Sequence, residues 1–166
     1  MRALTLWQPW ATLAAIGAKK IETRSWLTRY RGELAIHAAA RMPPDAVSFC
    51  LSKPAMAEVM KQLTGSDQRG VWYGYLIGSG RDTIFPLGKM VGVARVVDCF
   101  EIPPEPMAVS SKIGSKMVML PPEEPELSFG DYTPGRYAWI LEDARQLAKP
   151  APAKGSLGLW DWDGEL

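Results

Sequence analysis

The run Lys89–Ile102 constrains the fold most, because it places Val91, Val93, Val96 and Val97 in one short stretch. β-branched side chains suit a pleated, half-buried surface, so this run predicts a strand. Such a strand needs partners, and the chain supplies several short ones. Ala3–Leu6 is apolar. Ile21–Trp26 sets Glu22 and Arg24 on one face and Ile21 and Thr23 on the other. Leu34, Ile36 and Ala38 alternate with Glu33, Ala35 and His37. Arg136–Glu142 and Ser156–Trp162 complete the set. Between them, Pro9 sits where a first helical residue belongs, Leu13, Ile16 and intervening alanines form a compact helix, and Gly17 ends it. Pro43-Pro44-Asp45 opens a second helix that Pro54 interrupts, and Ala55–Leu63 follows as another helical piece. Five to six strands with two to three flanking helices, and no regular βαβ alternation, predict an α+β fold built on a small mixed β-barrel.

The 166 residues are expected to form a single domain over 1–166, since no internal repeat and no separating linker occurs. Two long segments interrupt it. Residues 64–88 hold six glycines and resemble no regular element, and residues 103–135 are a Pro- and Glu-rich excursion. Pro150–Lys154 reads as a proline-rich connector. A mean hydropathy of −0.09, with no apolar run of the ~18 residues a span requires, predicts no membrane crossing. The N-terminus lacks a signal-peptide pattern, so the expected compartment is the cytoplasm.

Several chemistries are excluded or unsupported. Cys50, Cys99 and the single His37 match no zinc-ligand spacing, so both thiols are expected free and buried and no metal is predicted. One histidine without G-x-S-x-G excludes a conventional α/β-hydrolase. There is no P-loop, and Gly78-Ser79-Gly80 lacks the third glycine and following helix of a dinucleotide site, so no cofactor is predicted.

Charge is unevenly placed. Residues 1–41 carry seven basic and two acidic side chains, a net of +5, and residues 98–131 carry seven acidic and two basic ones, a net of −5. Either the two regions neutralise each other in the fold, or the basic one faces an anionic partner and the acidic one a protein partner.

The basic region contains Leu4-Thr5-Leu6-Trp7-Gln8-Pro9-Trp10-Ala11 and then Gly17, Lys19, Glu22 and Arg24 in the spacing G-x-K-x-x-E-x-R. Tyr30-Arg31-Gly32-Glu33-Leu34-Ala35-Ile36-His37-Ala38 follows. These motifs resemble the ASCH domain family of the PUA-like superfamily, in its cointegrator-type branch. The likeness is strong over residues 4–41 and looser through Val91–Cys99, Arg136–Leu141 and Lys154–Trp160. It implies a PUA-like barrel with a cleft beside the first helix that recognises RNA, another single-stranded nucleic acid or a modified nucleotide. One branch of the family is an amidohydrolase on N4-acetylcytidine, using a Lys, a Thr and a Glu, and a ribonuclease activity is attributed to another member. Lys19 matches the amidohydrolase lysine, but Glu22 stands where that branch has threonine.

The residues themselves allow both kinds of chemistry. A carboxylate at Glu22 between two bases holds both in place, and Arg24 can then bind a phosphate. A buried Lys19 can instead act as a base, with Glu22 relaying protons, which makes these two the catalytic candidates. Trp10 and Trp26 flank the motif and either stack an unpaired base or pack in the core. Tyr30 lies in a turn between Arg29 and Arg31. With Arg41, these arginines are candidate phosphate contacts or a solvated charged turn. His37 is either a ligand-facing base or a structural hydrogen-bonding residue.

Overall fold

A computed structural model describes residues 1–77, 84–110 and 117–164. The valine-rich run becomes β4 (Lys89–Glu101), the long central member of a six-stranded sheet. The other members are β1 (Arg2–Leu6), β2 (Ile21–Arg24), β3 (Gly32–Ala38), β7 (Tyr137–Pro152) and β8 (Leu159–Asp161), in the order β2-β7-β4-β3-β1-β8. Among the described strands, only β1 and β3 run parallel, with Leu4 beside Ile36. The sheet curls into a half-barrel. β5 (Met107–Ser110) and β6 (Met117–Leu120) form a separate antiparallel pair. The architecture is α+β and PUA-like.

Helix α1 (Trp10–Ala15) packs against two cores. Its residues Ala11 to Ala15 are all buried. One side packs Ala11, Ala14 and Ala15 onto Leu4, Leu34, Ile36, Val91 and Trp139 of the sheet. The other side gives Leu13 to a second core with Cys50, Met56, Met60, Trp72 and Phe85. That core is covered by α2 (Ala46–Ser52), α3 (Pro54–Thr64) and α4 (Arg69–Ile77). Small residues let helix and sheet approach closely: a Cβ at Gly92 would lie 2.6 Å from Ala15 Cβ and 2.8 Å from the Arg145 carbonyl oxygen. Cys50 and Cys99 are free and buried, and burial pushes the Cys50 thiol up to about 12.

Two sequence expectations need correction. Residues 64–88 are not without regular structure, because α4 occupies Arg69–Ile77. Gly70 and Gly74 lower helix propensity there, but Trp72 and Leu76, one turn apart, bury against the second core and override it. Trp72 Nε1 also donates to the Ser66 carbonyl at 2.6 Å. Gly78-Ser79-Gly80 lie outside the described residues. Nor is Pro150–Lys154 simply a connector, since β7 continues through Pro152 opposite Lys89 of β4. The Ala153 N–H bonds the Gly88 carbonyl, so Pro150 and Pro152, on the alternate positions, face the outer edge where no donor is needed. The excursion 103–135 carries β5, β6 and a 3-10 turn (Glu126–Phe129), and it folds back on the edge of β2.

Gly92→Ala is expected to destabilise by about 1–3 kcal/mol, because both neighbours are held by backbone. Gly74→Ala, with nothing within 4 Å, should stabilise by ~0.5–1 kcal/mol. Urea unfolding midpoints check both, and a clear loss at Gly74→Ala would contradict a solvated helix at 69–77.

Candidate functional site

The site is built where α1 hands the chain to β2. Gly17 takes a left-handed conformation (φ 77°) that L side chains rarely adopt, and the chain turns sharply there. The Lys19 N–H then donates to the Leu13 carbonyl at 3.0 Å, which fixes the reversal. Lys19 is 1% exposed. Its Nζ donates to the Ile21 carbonyl and lies 3.5 Å from Glu22 Oε2. The other oxygen, Oε1, lies 3.6 Å from the Arg24 guanidinium. Lys19 is thus locked, whereas Arg24 keeps part of its surface open.

These three side chains line a cleft of about 310 Å³. Trp7 and Trp10, from the β1–α1 junction, form one wall, and Ser128 to Asp131 form the other. Trp7 is 52% exposed, and Trp10 is held by Phe49 with ring centroids 5.1 Å apart. Gln8 fixes the junction: its Oε1 accepts from the Thr12 N–H and its Nε2 donates to the Pro86 carbonyl. Glu126 fixes the opposite wall. Its carboxylate accepts the Lys20 and Ile21 N–H groups at 2.8 and 3.0 Å, standing in for a neighbouring strand along β2. Burial, then the Glu126 charge, drives the Tyr132 phenol well above its ordinary range. Hydrogen bonds from Thr133 hold the Asp131 carboxyl below its usual range. Among the described residues, no group of three or more His, Cys, Asp or Glu side chains is placed to hold a metal.

A family model for the ASCH domain matches residues 4–151. This chain belongs to the ASCH domain family. It is 27% identical over 164 residues to human activating signal cointegrator 1 and 26% identical to the mouse protein, covering 98% of this chain in each case. The chain spans only 22% of the length of those two relatives. The aligned stretch thus takes in the whole ASCH hallmark and both walls of the cleft.

The cleft gathers Lys19, Glu22, Arg24 and Trp10 from the hallmark region. Trp26 stands just behind: the Arg24 guanidinium is 5.9 Å from its ring centroid, and it packs edge-on to the buried Trp139 at 4.6 Å. Other sequence candidates lie elsewhere. Arg31 donates to Asp98 at 2.6 Å and to the Thr28 and Tyr30 carbonyls, which ties the turn to β4. Tyr30 donates its hydroxyl to the Glu33 carbonyl, and burial raises its phenol. Arg29 and Arg41 are exposed, outside the cleft lining. Thr5 and Leu6 are consecutive on β1, so they face opposite sides. Leu6 lines the cleft, whereas Thr5 and His37 line a different groove with Gly88 and Lys154. His37 is buried edge-on to Trp160, and its Nε2 donates to the Ala153 carbonyl at 3.0 Å.

Sequence reasoning did not single out Trp7 or the wall Ser128–Asp131 as site residues, and it offered Thr23 only as a possible nucleophile pointing away from Glu22 and Arg24, whereas Thr23 lines the cleft with them. The available signal for Trp7 was its place in Trp7-Gln8-Pro9-Trp10. The wall carried none, because tertiary folding alone brings residue 130 to residue 23.

Glu22→Ala leaves Lys19 buried without its carboxylate, so a loss of about 3–5 kcal/mol is expected. The Lys19→Met/Glu22→Leu double variant should lose far less than the two single losses combined. Additive losses in chemical denaturation would contradict the pairing. Burial lowers the His37 pKa below 6.5. The unfolded chain therefore binds a proton before the native one does, and stability falls as pH drops from 6.5 toward the lower native value. Thermal unfolding at about pH 7.5 and 5.5 should show this loss, and His37→Gln should remove part of it. An unchanged slope would refute the assignment.

Proposed function

We propose that the cleft between α1 and β2 binds one unpaired base of an RNA strand, with Arg24 meeting the adjoining phosphate. The observation that carries this reading is that Trp7 and Trp10 line one cleft of about 310 Å³ together with the Lys19–Glu22–Arg24 cluster. That volume is at the small end of ligand clefts, which run ~300–1,000 Å³. It admits a single nucleotide unit and excludes a duplex. An exposed tryptophan offers a stacking face to any base. Glu22 uses one oxygen toward each cation and keeps lone pairs for a donor, which favours bases that carry an amino group. Family membership supports the same reading, since ASCH domains are associated with RNA.

The hydrolytic alternative, acting on an acylated nucleoside such as N4-acetylcytidine or on RNA itself, uses the same cleft. The contacts of Lys19 favour recognition: its Nζ is engaged by a carbonyl and a carboxylate, as a fixed cation would be.

Fluorescence anisotropy with short single-stranded RNAs tests the proposal. Affinity should fall with salt, as phosphate binding requires. Trp7→Ala should weaken binding by about 1–3 kcal/mol, and Arg24→Ala should reduce the salt slope. A cytidine-rich strand should bind more tightly than a uridine-rich one. Equal titrations for the wild type and both variants would overturn the reading. Mass spectrometry of RNA and N4-acetylcytidine after incubation separates the alternatives: intact substrates support recognition, and a product formed by the protein makes it a hydrolase.

A further inference from the structure

We infer that the groove between β6 and the outer side of β7 is a docking surface for a basic, amphipathic peptide segment of a protein partner. The groove has a volume of about 890 Å³ and opens beside Lys20, away from the tryptophan wall of the cleft. On β6, Met117 and Met119 alternate outward and are 60% and 47% exposed, while Leu120 is buried in the core. Leu141 and Ala144 of β7 supply the apolar side opposite. Two thioethers on a solvent-facing strand are costly to leave in water, and their flexible, polarisable chains adapt to apolar anchors of varied shape.

The rim selects the charge of the occupant. Glu123 and Glu142 line the groove, and neither has an ion-pair partner among the described residues. Among the described residues, Lys20 is the one exposed cation on the lining. Glu123 and Glu126 of the acidic segment and Glu142 and Asp143 of β7 line this groove, so phosphate is repelled and lysine or arginine attracted. Geometry adds a further opening. β2 pairs with β7 along Tyr137–Ile140 and the Lys20 carbonyl takes the Leu141 N–H; beyond Leu141, β7 has no strand on that side among the described residues. An apolar floor with acidic margins fits a segment whose apolar anchors are flanked by basic residues.

The test uses the full chain labelled at the methionine ε-methyl groups. The probes are a synthetic amphipathic peptide of leucine and lysine, its leucine–glutamate counterpart, and a single-stranded RNA. The leucine–lysine peptide should shift the Met117 and Met119 methyl resonances and leave those of the buried Met56, Met60 and Met90 in place. Glu123→Lys/Glu142→Lys should weaken that binding by about tenfold. The proposal is overturned if the two methyl groups do not move, if the leucine–glutamate peptide moves them equally, or if RNA moves them instead.

Discussion

A fully buried ammonium organises this molecule. Lys19 cannot remain in the interior without acceptors, and the nearest are the Ile21 carbonyl and the Glu22 carboxylate. Meeting that need draws the exit of α1 against the first residues of β2. Glu22 in turn holds Arg24, which leaves one cation locked and one available on the same patch. The second wall depends on the same junction, because Glu126 reaches the backbone of Lys20 and Ile21. Cleft, wall and sheet edge therefore rest on one short stretch of chain.

The opposite charges of the two chain segments resolve into both outcomes at once. Part of the acidic segment turns inward: Asp98 neutralises Arg31, and Glu126 accepts the backbone N–H groups of Lys20 and Ile21. Glu123 stays outward in the groove beside β6, while Arg24 stays open to the cleft. The protein thus has a cationic recess and an acidic groove on either side of Lys19, with different chemical preferences.

The parts legible in the sequence are those set by local chemistry. Val91, Val93, Val96 and Val97 fix the central strand, Pro54 divides two helices, and Gly17 ends α1 with the positive φ expected of it. The spacing of Lys19, Glu22 and Arg24 carried the cluster, because strand alternation puts Glu22 and Arg24 on one face. Features that depend on distant packing were hidden. α4 forms despite Gly70 and Gly74 because Trp72 finds a core made by other helices. β7 runs through two prolines because its outer edge is free there. Arg31 reads as a surface cation until Asp98, far along the chain, is folded against it. His37 reads as a site residue until alternation along β1 and β3 places it in another groove.

The central claim is that the recess lined by Trp7 and Trp10 is where the base sits. The most direct measurement is an indole N–H spectrum of the nitrogen-labelled protein during titration with a short single-stranded RNA. The account predicts that the Trp7 and Trp10 signals move together and saturate, while those of the buried Trp139 and Trp162 hold still. Movement confined to Trp160, beside His37, would place recognition in the other groove and contradict the account.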